Sequence, residues 1–167
     1  MTDRAPEPIP AGPRRRLRKG ATTAGVLVFV QSLIGGLVRH MDAGMSCPDA
    51  PLCLGQWIPP LVNPLITVHF VHRAMALVVA IFIVALAVWC LRAGLPRVVR
   101  RVSAVAAALV VAQVTLGFAS VLTVLAVIPV SLHTLVAAVL LVMLVHLSTI
   151  AHRAPQDALA APPVLTG

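Results

Sequence analysis

The chain has no tyrosine, only four phenylalanines and two tryptophans, and just five acidic residues among 167. At 59% hydrophobic against 11% charged, it has too little polar surface to clothe a soluble domain. None of the acidic residues (Asp3, Glu7, Asp42, Asp49, Asp157) falls within a long apolar run, so those runs carry no carboxylate chemistry. Cysteine is limited to three residues, too few for a four-thiol zinc site. The first twenty residues are rich in proline and arginine and lack an apolar core. They meet the first apolar run without a small-residue cleavage site, which is unlike a signal peptide. The net charge of +8 invites a nucleic-acid reading, but the basic residues are not interleaved with aromatics. They gather at the ends of apolar runs, as a membrane topology signal does, so no nucleic-acid partner is expected.

What is present is four apolar runs, at about 21–38, 65–91, 102–125 and 130–150. Each approaches or exceeds the ~20 residues that a helix needs to cross ~30 Å of hydrocarbon. Helices are expected rather than strands, because alternating ten-residue segments are missing and backbone groups in lipid must be satisfied internally. The fold class is an all-α, four-transmembrane-helix bundle surrounded by membrane lipid. It spans 21–150, after a disordered basic tail at 1–20 and before a second tail at 151–167. Arg14, Arg15, Arg16, Arg18 and Lys19 precede the first run, Arg92, Arg97, Arg100 and Arg101 separate the second from the third, and Arg153 follows the fourth. The outer loop, 39–64, has only Arg39, and the 126–129 turn has no basic residue. The positive-inside rule then places both termini in the cytoplasm of a prokaryote, with the chain integral to its cytoplasmic membrane.

The outer loop holds Cys47 and Cys53 in C-P-D-A-P-L-C. Its prolines compact the turn and an outside location is oxidising, so a disulfide is expected, with two unpaired thiols as the alternative. Cys90, at the far end of the second run, is expected to be a small buried hydrophobe. A repeat links the two halves: Gln31-Ser-Leu-Ile-Gly35 in the first run and Gln113-Val-Thr-Leu-Gly117 in the third share the spacing Q-x-x-x-G. Each is followed by a run with a histidine near its outer end, and the glycines would let neighbouring backbones approach.

The second run carries V-H-F-V-H-R, Val68 to Arg73. Ionisable side chains at membrane depth are costly, and mark a functional site with a partner to be found. His72 and His133 fall at matching depths on the second and fourth runs, where they could ligate one iron from opposite faces. A haem fits that arrangement, with Arg73 as a propionate partner. Without a ligand, the same histidines would bond helix to helix. His69 lies three residues before His72 on one helix face, and could be a ligand, a proton carrier or packing. His40 either reaches a propionate or faces water, and His146 and His152 are expected at the opposite interface.

Gly35 to Pro60 (G-G-L-V-R-H-M-D-A-G-M-S-C-P-D-A-P-L-C-L-G-Q-W-I-P-P), H-F-V-H-R, Q-V-T-L-G and S-L-H-T-L-V-A-A together resemble the haem A synthase family, over Gln31 to Leu144. The resemblance implies oxidation of the C8 methyl of haem O to the formyl of haem A for cytochrome oxidase. It also implies an eight-helix architecture of two similar halves, of which this chain would be one. It casts His72 and His133 as the axial pair for a haem iron, Cys47 and Cys53 as the extracytoplasmic disulfide, and haem B, O or A as the bound haem. The chain departs from the pattern at position 69, where His69 stands in the place of a catalytic glutamate. A half-size chain implies a homo-oligomer or a second half-size partner, with haem O synthase or redox-complex subunits as further candidates. The competing functions are a b-type cytochrome subunit that only transfers electrons, and a structural or assembly subunit whose histidines pack helices.

Overall fold

A computed structural model describes residues 9–153. Four long helices account for most of them: α1 Ala11–His40, α2 Pro64–Arg92, α3 Arg97–Leu122 and α4 Val127–Arg153. Each is long and apolar enough to cross a membrane. In sequence order each helix packs on the next, and α4 closes the ring against α1. The result is an up-down-up-down bundle, an all-α integral membrane fold. Its two ends differ: one carries the beginning of α1 and the end of α4, and the other carries the long 41–63 loop and the short 123–126 turn.

The boundaries follow local chemistry. Pro64 occupies the first position of α2, where its missing N–H costs nothing, and the Asn63 side chain caps the helix by accepting from the Leu65 amide at 2.9 Å. Pro96 immediately precedes α3, which therefore begins at Arg97 and not near residue 102. Its arginines form the first helical turns in place of a connecting loop. The α3–α4 connection is likewise shifted, from the expected 126–129 to 123–126, and Pro129 lies inside the first turn of α4. Val124 and Leu125 adopt successive left-handed φ values of 53° and 59°, which closes this turn without glycine.

The tail expected to be disordered over 1–20 needs correction. Residues 11–20 are helical and continue directly into α1. Leu17 is fully buried there, in a cluster with Ala21, Cys90, Leu95, Val99, Leu147 and Ala151. The Arg16 guanidinium lies 4.9 Å from the centre of the Trp89 ring. Arginine, lysine, leucine and alanine are good helix formers, and one buried leucine is enough to dock the extra turns. Residues 1–8 and most of the expected 151–167 tail lie outside the described residues, while 151–153 belong to α4.

Packing is graded along the bundle. A second apolar cluster, built on Ala24, Val28, Val79, Ile83, Ala106, Val110, Leu140 and Leu144, fills the middle. Towards the loop end it stops: α1 has no buried apolar residue after Val28, α4 none before Leu140, and α3 none between Val110 and Val121. On α2 only His69 is buried before Val79. Residues 111–119 alone correspond to ~14 Å of rise, so the loosely filled zone is tall.

Candidate functional site

The stretch without fully buried apolar side chains holds several of the candidate residues named from the sequence. His72 lies eight residues inside α2 and His133 six residues inside α4, or ~12 and ~9 Å of rise. Both rings are partly buried, and the two are close enough to interact electrostatically. Each is held from the preceding helix by the Q-x-x-x-G pattern. Gln31 Nε2 donates to the His72 carbonyl at 2.9 Å and lies 3.0 Å from His72 Nδ1. His133 Nδ1 donates to the Gln113 carbonyl at 3.1 Å, and Gln113 Nε2 is 3.5 Å from His133 Nε2.

The glycines do something other than bring backbones together. A Cβ at Gly35 would sit 3.0 Å from His72 Cε1, and one at Gly117 would sit 3.3 Å from His133 Cε1. One turn beyond each glutamine, hydrogen stands in for a side chain so that an imidazole can lie flat on the neighbouring helix. The repeat is thus a pair of imidazole seats, one in each helical hairpin. Its glutamines were visible in the sequence as spacing, but their partners were not.

His69 is 4% exposed and its Nδ1 has no hydrogen-bond partner, while the Ala43 carbonyl lies beside the ring. Gln31 Oε1 and Gln113 Oε1 are also buried without partners. Three orphaned polar atoms around the two seats are unusual, because buried polar groups are nearly always paired. His40 is exposed at the end of α1, and His146 and His152 are exposed near the other end of the bundle.

Arg73 reaches out of the helix into the loop. Its Nη1 donates to the carbonyls of Asp49 (2.9 Å) and Leu52 (2.8 Å), and its Nη2 to that of Cys47 (3.0 Å). These contacts leave two of the five guanidinium N–H groups for anything else. The segment it grips is closed by the Cys47–Cys53 disulfide and by reciprocal backbone bonds between Cys53 and Gln56. Asp49 turns its carboxylate onto the Leu54 (2.7 Å) and Gly55 (2.8 Å) amides. The bond from Gly55, then that from Leu54, with a smaller contribution from the Arg73 charge, hold its carboxyl below the usual carboxylate range. Cys90 is free and buried, as a small hydrophobe would be.

Residues 4–145 match the family model COX15-CtaA, described as cytochrome oxidase assembly protein. The chain belongs to this family. Among the curated family relatives, a heme A synthase of Shouchella clausii is 32% identical over 96 residues, 57% of this chain and 32% of that protein. One of Symbiobacterium thermophilum is 34% identical over 116 residues, covering 69% and 36%. One of Alkalihalophilus pseudofirmus is 31% identical over 131 residues, covering 77% and 44%. The matched part of this chain therefore spans less than half the length of each of these family members.

The residues fit a macrocyclic iron cofactor better than a bare ion. Among the described residues, no three histidine, cysteine or carboxylate side chains converge as a metal site. Two imidazoles alone leave a first-row metal short of ligands, whereas a porphyrin brings four nitrogens of its own and needs only axial donors. The stretch without fully buried apolar side chains and the two imidazole seats suit such a group.

Proposed function

We propose that the chain is a haem-binding membrane oxidoreductase that oxidises the C8 methyl of haem O towards the formyl of haem A, assembled as an oligomer. The observation that carries this reading is the placement of His72 and His133 at matched depth, each seated by a glutamine and a glycine of the preceding helix, in a stretch where no apolar side chain is fully buried. His72 and His133 would hold the haem iron. When bound, the haem supplies the redox chemistry, and the protein supplies position, dryness and fixed dipoles. Arg73, with its two remaining N–H groups, and His40 at the loop end are the candidates for the propionates. His69 stands where relatives would carry a glutamate. With its buried, unpartnered Nδ1 it can hold or pass a proton at that atom, although an imidazole cannot steady a developing cation as a carboxylate does.

The distribution of arginine and lysine supports termini on the cytoplasmic side and the 41–63 loop outside, where its disulfide is at home. In this reading the oligomer, a second copy or a second half-size chain, supplies the other four helices of the eight-helix arrangement.

The test is expression of the chain in a host that makes haem O, followed by extraction and pyridine haemochrome analysis of the purified protein. The expected result is haem B together with haem O or A. His72→Ala and His133→Ala should each abolish haem retention, while His146→Ala leaves it intact. Haem B alone, with reversible redox titration and no conversion of added haem O, would assign the electron-transfer function of a b-type cytochrome subunit instead.

A further inference from the structure

The two imidazole seats are not equivalent. A carbonyl oxygen can only accept, so the 3.1 Å contact between His133 Nδ1 and the Gln113 carbonyl places the proton of that neutral ring on Nδ1. Nε2 of His133 then keeps its lone pair, with only a long 3.5 Å contact from the Gln113 amide to displace. This is the arrangement that metal-bound histidines adopt, with the second ring nitrogen donating to a carbonyl.

His72 is the reverse. The Gln31 atom 2.9 Å from the His72 carbonyl must be the amide nitrogen, since an amide oxygen would repel that carbonyl. The same nitrogen lies 3.0 Å from His72 Nδ1, so Nδ1 is the acceptor and the ring proton sits on Nε2. An imidazole in this form has no lone pair on Nε2 for a metal. Gln31 also carries the atom that could reverse the state: its Oε1 is buried without a partner. Moving the amide off the His72 carbonyl and turning Oε1 onto Nδ1 would draw the proton there and free Nε2.

We infer that Gln31 and Gln113 are positioning residues that set opposite tautomers, leaving His133 ready to ligate and His72 blocked until the Gln31 amide turns. The inference rests on the haem reading above, but its central observable does not require haem. Gln113 acts through its backbone carbonyl and Gln31 through its side chain, so the two glutamines differ in their sensitivity to mutation.

Long-range proton–nitrogen NMR on the full chain, 15N-labelled at histidine and reconstituted without haem, reports the tautomer of each ring. His→Ala variants supply the assignments. The expected result is Nε2–H at His72 and Nδ1–H at His133. Gln31→Glu, which can only accept when ionised, should switch His72 to Nδ1–H. Gln113→Leu should leave His133 as Nδ1–H, since the backbone carbonyl remains. Nδ1–H at His72 in the unmutated chain, or no switch in Gln31→Glu, would overturn the inference, and the first of these does not depend on Gln31→Glu folding. With haem added, Gln31→Leu, which removes both the block and the acceptor for Nδ1–H, should change the low-spin electron paramagnetic resonance signature. If His72→Ala loses haem while Gln31→Leu binds it with an unchanged signature, the positioning role fails. If His72→Ala retains haem, the haem reading fails and the tautomer measurements alone decide the inference.

Discussion

Replacing Arg73 separates the loop from the bundle and allows a magnitude to be worked through. The guanidinium makes three bonds of 2.8–3.0 Å to the carbonyls of Cys47, Asp49 and Leu52. Hydrogen bonds from a charged donor contribute ~1.5–3 kcal/mol each. The three share one side chain, Arg73 is only partly buried, and freed carbonyls at the membrane surface can turn to water, so the sum is discounted to ~2–4 kcal/mol. At ~1.4 kcal/mol per factor of ten, Arg73→Ala should raise the opening equilibrium of the loop by about 30- to 700-fold. The disulfide still joins Cys47 to Cys53, so the opening is a local loss of docking while the bundle stays folded. Hydrogen exchange at the Cys53, Leu54, Gly55 and Gln56 amides in detergent or nanodiscs is the measurement, with the amides of the mid-bundle core residues Val28, Ile83, Val110 and Leu140 as the internal reference. Arg73→Lys should lie close to Arg73→Ala, because one ammonium cannot span three carbonyls. Unchanged protection in Arg73→Ala would refute the assignment of Arg73 as the loop's anchor.

Gly35→Ala should disturb haem retention and the low-spin spectrum more than Gly117→Ala, since the new methyl would approach its imidazole to 3.0 rather than 3.3 Å; the reverse order in haem titrations would sink the seat model. The Asp49 carboxyl is lowered on folding, so it contributes stability at pH values above the ordinary carboxylate pKa of ~3.9, and that contribution disappears as pH falls through its lower folded value. Protection factors at Leu54 and Gly55, corrected for the intrinsic pH dependence of exchange, should therefore fall in strong acid, and Asp49→Asn should remove this pH dependence. After reduction, a membrane-impermeant maleimide added to intact cells should label Cys53 and not Cys90; labelling only after lysis would reverse the proposed orientation.

The four spans were legible because hydrophobic runs of this length have one structural outcome in lipid. Their ends were less so: at Leu17 and at Arg97 to Arg101, charged residues that mark the membrane boundary are also good helix formers, and composition cannot show where helix outlasts hydrocarbon. His72 and His133 could be paired from depth alone, because helical rise converts residue number into distance. The role of Arg73 was hidden, since its partners are backbone carbonyls, which every residue possesses and no sequence pattern advertises. Gln31 and Gln113 lay between these cases. Their spacing repeated visibly, but which ring each would touch depends on the rotation of one helix against the next.

The uneven filling of the bundle has a mechanical side. Leu17, Cys90, Val99 and Leu147 clamp the four helices at one end, while around Gly35 and Gly117 no apolar side chain is fully buried. Such a body behaves like a pair of tongs, stiff at the rivet and compliant at the jaws. A broad flat guest of the kind proposed above would then enter sideways from the lipid through a small splay of the helices at the loop end. The disulfide-closed loop, latched to α2 by a single arginine, is placed where a keeper across the jaws would be.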